Sequence, residues 1–319
     1  MNRALTSIEL CAGAGGQALG LEQAGFDHQA LVEIDRHCCE TLKINRPSWN
    51  VICGDIADVN FKAYRGVDLV AAGLPCPPFS KAGKQLGHAD ERNLFPHAIR
   101  IIDEVQPKAF LIENVRGFLD EVFDGYRGFI LESFRRLGYL TQHRVLNARD
   151  FGVSQLRPRV AIVGLRHEYA DQFNWPEPMP PPPTVGECLF DLMSGNGWRG
   201  AKDWRKRANG IAPTLVGGSL KHGGPDLGPT RAKKAWAALG VDGHGVANDG
   251  PDRNFDGMPR LTVPMIARLQ GFPDTWTFSG RKTNAYRQVG NAFPPAVAAA
   301  VGSAIASCLA VRRRAQLSA

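Results

Sequence analysis

The sequence predicts an α/β fold, a mostly parallel, doubly wound sheet joined to a smaller loop-rich domain. Three observations predict it. Short apolar runs of strand composition alternate with helical segments through the first half of the chain. A glycine-rich turn stands between the first strand and the first helix. A proline-dense connector then separates this half from a basic stretch with little periodicity.

Ser7 to Cys11 reads as the first strand, and Ala12 to Gly20 as a glycine-rich turn running into a helix from about Gln17. Gly13, Gly15 and Gly16 let a ligand approach the backbone, and the helix offers its first amides. Ala30 to Ile34 is a second strand. It ends in Glu33, about twenty residues past Gly13, the spacing at which an acid takes ribose hydroxyls. Gly13-x-Gly15-x-x-Ala18 satisfies the dinucleotide fingerprint, a weak signal alone. Asn50 to Cys53 is a third strand closing on Gly54-Asp55-Ile56. There Asp55 either meets an adenine amino group or caps the next helix. Val67 to Ala72 is a buried strand, and Gly73-Leu74-Pro75-Cys76-Pro77-Pro78-Phe79-Ser80 follows it. A proline beside a cysteine at a strand end fixes the backbone and aims one sulfur out of the sheet. The thiolate is a strong nucleophile where a neighbour lowers its pKa; the competing reading is a structural cysteine in a turn. Lys81 to Asn93 has the composition of a mobile loop beside a nucleophile.

Phe95 to Val105 has helical periodicity. Lys108 to Ile112 is a strand that delivers Glu113-Asn114-Val115 to the ligand-bearing edge, the edge that carries Cys76. A carboxyl there loses hydration, which favours its neutral form. Gly125 to Leu137 is an amphipathic helix, and Tyr139 to Leu146 and Arg159 to Leu165 are an antiparallel pair of strands. Between them Gln155, Arg157 and Arg159 alternate on an extended segment and share a face, a set suited to something electron-rich. Trp175 to Thr184, with Pro180 to Pro183 consecutive, is a stiff connector and the domain boundary. Trp198 to Trp236 is basic, aromatic and loop-rich, and suits phosphate contact and base reading. Arg260 begins a helical segment that Gly271 and Pro273 stop, and Pro294 and Pro295 lead into a long Ala/Val helix, Ala296 to Val311.

Composition narrows the class. A chain of 319 residues with 44% hydrophobic content allows one large domain or two moderate ones. With no basic-then-apolar leader and no apolar run of membrane length, a cytoplasmic location without membrane contact is expected. Seven cysteines with no C-x-x-C pair argue against a disulfide framework and against a structural metal. The net charge of +7 is compatible with an anionic partner.

With these residues in order, the chain resembles the DNA (cytosine-5)-methyltransferases of restriction–modification systems along almost its whole length. The motifs are the turn Leu10 to Gly20, Glu33, Gly54-Asp55-Ile56, Pro75-Cys76, Glu113-Asn114-Val115, Gln155-x-Arg157-x-Arg159, Arg268 to Pro273 and Gly290-Asn291. One position departs: Pro77 stands where the family usually carries glutamine. The resemblance implies a class I AdoMet-dependent fold, with a catalytic domain at 1–178 plus 286–319 and a target-recognition domain at 179–285. It implies S-adenosyl-L-methionine as cofactor, S-adenosyl-L-homocysteine as product and no metal. Cys76, Glu113, Arg157 and Arg159 would be catalytic. Leu10, Gly13, Gly15, Gly16, Glu33, Ile34, Asp55, Ile56, Pro75 and Asn291 would hold the cofactor. Ser80, Gln155, Arg205, Lys206, Arg207, Thr214, Leu215 and Lys221 would touch double-stranded DNA, Thr214-Leu215 resembling the short element of such recognition regions. The enzyme would act as a monomer, with any cognate restriction endonuclease not in direct contact.

Three other readings compete. A tRNA cytosine-5 methyltransferase shares most motifs, and the basic segment favours DNA. An NAD-dependent oxidoreductase explains only the glycine fingerprint. A catalytically silent DNA-binding protein leaves Cys76 and Glu113 without a role.

Overall fold

A computed structural model describes residues 4–75, 93–217 and 225–317. Cys76, Ser80 and Lys221 lie outside the described residues. The chain divides into two compact units, residues 1–146, 158–177 and 297–319 in the first, and 147–157 and 178–296 in the second. Relative to the boundaries read from sequence, 147–157 and 286–296 go with the second unit.

The first unit is built on a seven-stranded sheet. Its strands are β1 (Leu5–Leu10), β2 (Phe26–Glu33), β3 (Val51–Cys53), β4 (Leu69–Gly73), β5 (Ala109–Val115), β6 (Tyr139–Asn147) and β7 (Pro158–Arg166), in the order β3-β2-β1-β4-β5-β7-β6. The first five run parallel, and β7 is antiparallel to β5. Helices α1 (Gly16–Gln23), α2 (Arg36–Asn45), α3 (Phe95–Val105), α4 (Asp124–Arg136) and the one-turn α5 (His167–Ala170) belong to this unit.

Strand periodicity explains the double winding. Ile8, Leu10, Ala30, Val32, Val70, Ala72, Phe110 and Ile112 alternate along their strands onto one face, where they pack with Phe95, Ile101 and Ile102 of α3 and Phe134 of α4. Leu31 points the other way, to Ala18 of α1 and Leu42 of α2. Asp35 caps α2, its carboxylate accepting from the His37 amide at 2.8 Å.

Phe110 lies opposite Gly164 across β5 and β7 and packs on Phe134 at 4.4 Å between ring centroids. A Cβ at residue 164 would sit 2.1 Å from the Phe110 ring. Gly164→Ala is therefore expected to destabilise the protein by about 2 kcal/mol, read from the urea midpoint at unchanged slope. Adding Phe110→Leu should recover part of the loss, since the two sites couple through one contact.

The second unit holds α6 (Val185–Ser194), α7 (Ala201–Arg207), α8 (Thr230–Ala238), α9 (Val263–Leu269) and α10 (Lys282–Asn291), and α11 (Pro295–Leu317) returns the chain to the first unit. Within Trp198 to Trp236 the short helix α7 and most of α8 interrupt the loops. The start of α6 carries a capping box, Thr184 with Glu187, inside what reads as a stiff connector. One stretch, α10 with α11, meets the length and composition of a membrane span. Lys282–Ala310 is long and apolar enough by composition, but 61% of its apolar window is buried inside the protein, as in a core helix.

Candidate active site

In an open parallel sheet, ligands bind beyond the carboxyl ends of the strands, where the strand order reverses. Here the reversal lies between β1 and β4. The turn after β1 and the segment leaving β4 toward Pro75 therefore open at the same edge.

The turn after β1 is set by backbone geometry. Gly13 and Gly15 have φ of 54° and 86°, the left-handed region that glycine adopts without strain. Cys11 adopts φ 54° despite its side chain, and burial pushes its thiol up, which disfavours the thiolate. Glu33, at the end of β2, is buried and holds this turn. It accepts from the Gly13 amide at 2.7 Å and from the Asp35 amide at 2.8 Å. Burial raises its pKa, and those two amides oppose the rise. Ile34 beside it is 67% exposed, an apolar side chain at a polar strand end.

Not every expected residue faces this edge with its side chain. Leu10 is fully buried and Ile56 nearly so, both in the core beneath the sheet. Asp55 is exposed and caps its own turn, accepting from the Ala57 amide at 2.8 Å. Asn291 ends α10 in the second unit.

At the end of β5, Glu113 pairs in register with Gly73 of β4, two residues before Pro75. On the other side it lies opposite Ala161 of β7. Arg159 is two residues from Ala161 on the same face, within diagonal reach of a long side chain. Its Nε stands 2.8 Å from Glu113 Oε1; the Glu113 side chain is buried and that of Arg159 is 14% exposed. This ion pair fixes the carboxyl at the edge where β4 delivers Pro75.

Arg157 and Gln155 have a different place from the one their spacing suggests. Both are fully buried in the second unit, with polar groups bonded inside it. Leu215 is fully buried as well, and the Thr214 hydroxyl donates to the Leu156 carbonyl. The alternation rule holds only while the segment stays extended and open; here long-range partners take the side chains. Arg205 lies over the Phe190 ring, Lys206 pairs with Asp203, and Arg207 donates to the Ala237 carbonyl at 2.8 Å.

Two residues escaped the sequence reading. Gln270 is fully buried and bonds both Gln155 and the Ala292 carbonyl; its position in the Arg268 to Pro273 motif was the available signal. Glu9 sits near the end of β1, as Glu33 and Glu113 do on their strands. Its carboxyl is buried with no partner at hydrogen-bond geometry among the described residues, although the Ala18 amide lies near enough to favour its charged form. Burial, with the Glu33 charge added, pushes it well above the usual carboxylate range. Among the described residues no His/Cys/Asp/Glu group could hold a metal ion.

Solved structures share this architecture. The chain matches the methyltransferase EhMeth of Entamoeba histolytica with a TM-score of 0.68 at 13% identity, over 97% of this chain and 99% of that one. It matches DNMT2 of Spodoptera frugiperda with a TM-score of 0.64 at 19% identity, over 96% and 99%. The fold is that of the class I AdoMet-dependent methyltransferases. The model of the C-5 cytosine-specific DNA methylases matches residues 5–307, and the chain belongs to that family. It is 55% identical to the Type II methyltransferase M.NgoMIV of Neisseria gonorrhoeae over 95% of this chain and 98% of that one. It is 53% identical to M.NaeI of Lentzea aerocolonigenes, also a Type II methyltransferase, over 96% and 76%. The protein is thus a DNA cytosine-5 methyltransferase, and DNA is its substrate.

Proposed function

We propose that this enzyme transfers a methyl group from S-adenosyl-L-methionine to C5 of a cytosine within a specific duplex DNA sequence, through a covalent bond between Cys76 and C6 of a flipped base. The observation that carries the reading is the Glu113–Arg159 ion pair, with Glu113 in register beside the strand that leads to Pro75. Kinship with two Type II methyltransferases at over half identity supports a place in a restriction–modification system, where any cognate endonuclease would not be in direct contact.

The residues after β1 and β2 fit the cofactor. The space above Gly13 is open to 4 Å from where a Cβ would stand, so the backbone can be approached closely. Glu33 offers carboxylate oxygens for ribose hydroxyls, and exposed Ile34 offers an apolar face for a ring. Gly13, Gly15 and Gly16 would hold the methionine portion, and Asp55 the adenine. When bound, the cofactor supplies an electrophilic methyl group.

Cytosine C5 is too electron-poor to take that methyl unaided. Addition of the Cys76 thiolate to C6 makes C5 an enamine carbon. Glu113, as the acid, protonates N3 and prevents charge from building on the ring. Arg159 holds O2 and the negative charge near it. After methylation a base such as water takes the C5 proton, the C6–S bond breaks to release the thiolate, and N3 returns its proton to Glu113, which restores aromaticity. In stacked DNA the carbon is out of reach, so the base must leave the helix at a cost of a few kcal/mol.

Incubating the protein with S-adenosyl-L-methionine and a random-sequence duplex library, then bisulfite sequencing, is expected to show 5-methylcytosine at one position of one motif. Methylation of tRNA and none of duplex DNA would overturn the proposal. Glu33→Gln is expected to weaken S-adenosyl-L-homocysteine binding about tenfold by calorimetry, because a charged acceptor of two amides is lost.

A further inference from the structure

Three motif segments of the second unit meet at one buried polar knot. The Arg157 guanidinium donates to the Leu215 carbonyl at 2.5 Å, the Gly290 carbonyl at 2.8 Å and the Ala292 carbonyl at 3.0 Å. Gln155 Oε1 accepts from the Leu215 amide at 2.9 Å, so both backbone groups of Leu215 are held. Gln155 Nε2 donates to Gln270 Oε1 at 2.6 Å and to the Leu269 carbonyl at 3.1 Å, and Gln270 donates on to the Ala292 carbonyl. The Gly217 backbone then lies so close to Gly290 that a Cβ there would stand 2.5 Å from it.

The segment held this way, Pro213 to Gly217, is neither helix nor strand. Between its pinned residues it presents Val216, 39% exposed. Fully burying a guanidinium is costly, and an apolar side chain would fill the same space at less cost. What arginine adds is a rigid planar fork, which fixes several acceptors at once. Such a device sets the position of an irregular segment more tightly than apolar packing does.

We infer that Arg157, with Gln155 and Gln270, is a positioning residue that locks the 214–217 segment against residues 290–292, and that this lock sets discrimination among DNA targets without touching the cytosine. The inference rests on the proposed function only in taking the partner of that segment to be DNA.

The test compares the wild type with Arg157→Lys and Gly290→Ala on the random duplex library, with kcat and KM for DNA on the preferred motif. Lysine keeps the charge and loses the fork. Alanine at 290 displaces Gly217 and leaves Arg157 intact. Both variants are expected to lose about tenfold in discrimination against single-base changes and to raise KM for DNA, with kcat at saturating DNA within about threefold of wild type. Affinity for S-adenosyl-L-homocysteine should stay within about twofold. A fall in kcat with discrimination and KM unchanged would place Arg157 on the reacting base and overturn the inference. Should Arg157→Lys fail to fold, Gly290→Ala and Gln155→Glu carry the same comparison, and unaltered discrimination in both overturns it. A wild type that methylates no duplex DNA refutes the proposed function instead.

Discussion

Cys76→Ala is expected to abolish methyl transfer, a loss on the order of a millionfold of the kind seen when a covalent nucleophile is removed. The magnitude follows from the chemistry: without a bond at C6, C5 has no electron pair to give. Cys76 lies outside the described residues, but the path to it is set. β4 ends at Gly73, in register with Glu113, and Pro75 follows two residues later at the edge where the strand order reverses. Among the described residues exposed Cys53 also ends a strand at that edge, but it lies on β3, four places from β5 in the sheet order. Cys11, just after β1, is partly buried, and desolvation raises its pKa, against formation of a thiolate. Tritium transfer measures the loss, and a mobility-shift assay should show that Cys76→Ala still binds duplex DNA. With 5-fluorocytosine at the target, the wild type should be trapped as a denaturant-resistant complex, since fluorine cannot leave as a proton does. Retained transfer in the alanine variant, or no adduct from an active wild type, refutes the mechanism.

Glu113→Gln is expected to lower kcat by about 10²- to 10⁴-fold and to leave cofactor affinity unchanged. The amide matches the carboxyl in shape. Its oxygen can still face Arg159, whose Nε is 2.8 Å from Oε1 in the native pair, so the loss should not come from collapse of the site. The amide can hydrogen-bond to N3 but cannot transfer a proton to it. The separation of kcat from cofactor binding is the decisive readout. Equal losses in both would make Glu113 part of the cofactor pocket rather than a proton donor.

Much of the catalytic unit is legible in the chain because its signals are local. Apolar runs of strand length, each closing on an acid or a glycine-rich turn, place Glu33, Glu113 and the turn after β1 at one sheet edge once the strands are parallel. The span of α3 follows from the spacing of Phe95, Ala98, Ile101, Ile102 and Val105, all buried. The region beyond the prolines was less legible. Its helices α7 and α8 are short and rich in charge, and their burial falls on Trp204 and Trp236 rather than on a regular stripe.

The sequence by itself determined the order of strands and turns and the residues that end them, because strand period, glycine conformation and helix caps act over a few neighbours. Tertiary structure decided which alternating side chains reach a ligand. Arg157 and Arg159 stand two apart, yet one is bonded to carbonyls 58, 133 and 135 residues away and the other to Glu113. A buried polar group goes where its hydrogen bonds can be met, and partners that far along the chain leave no mark in the local pattern.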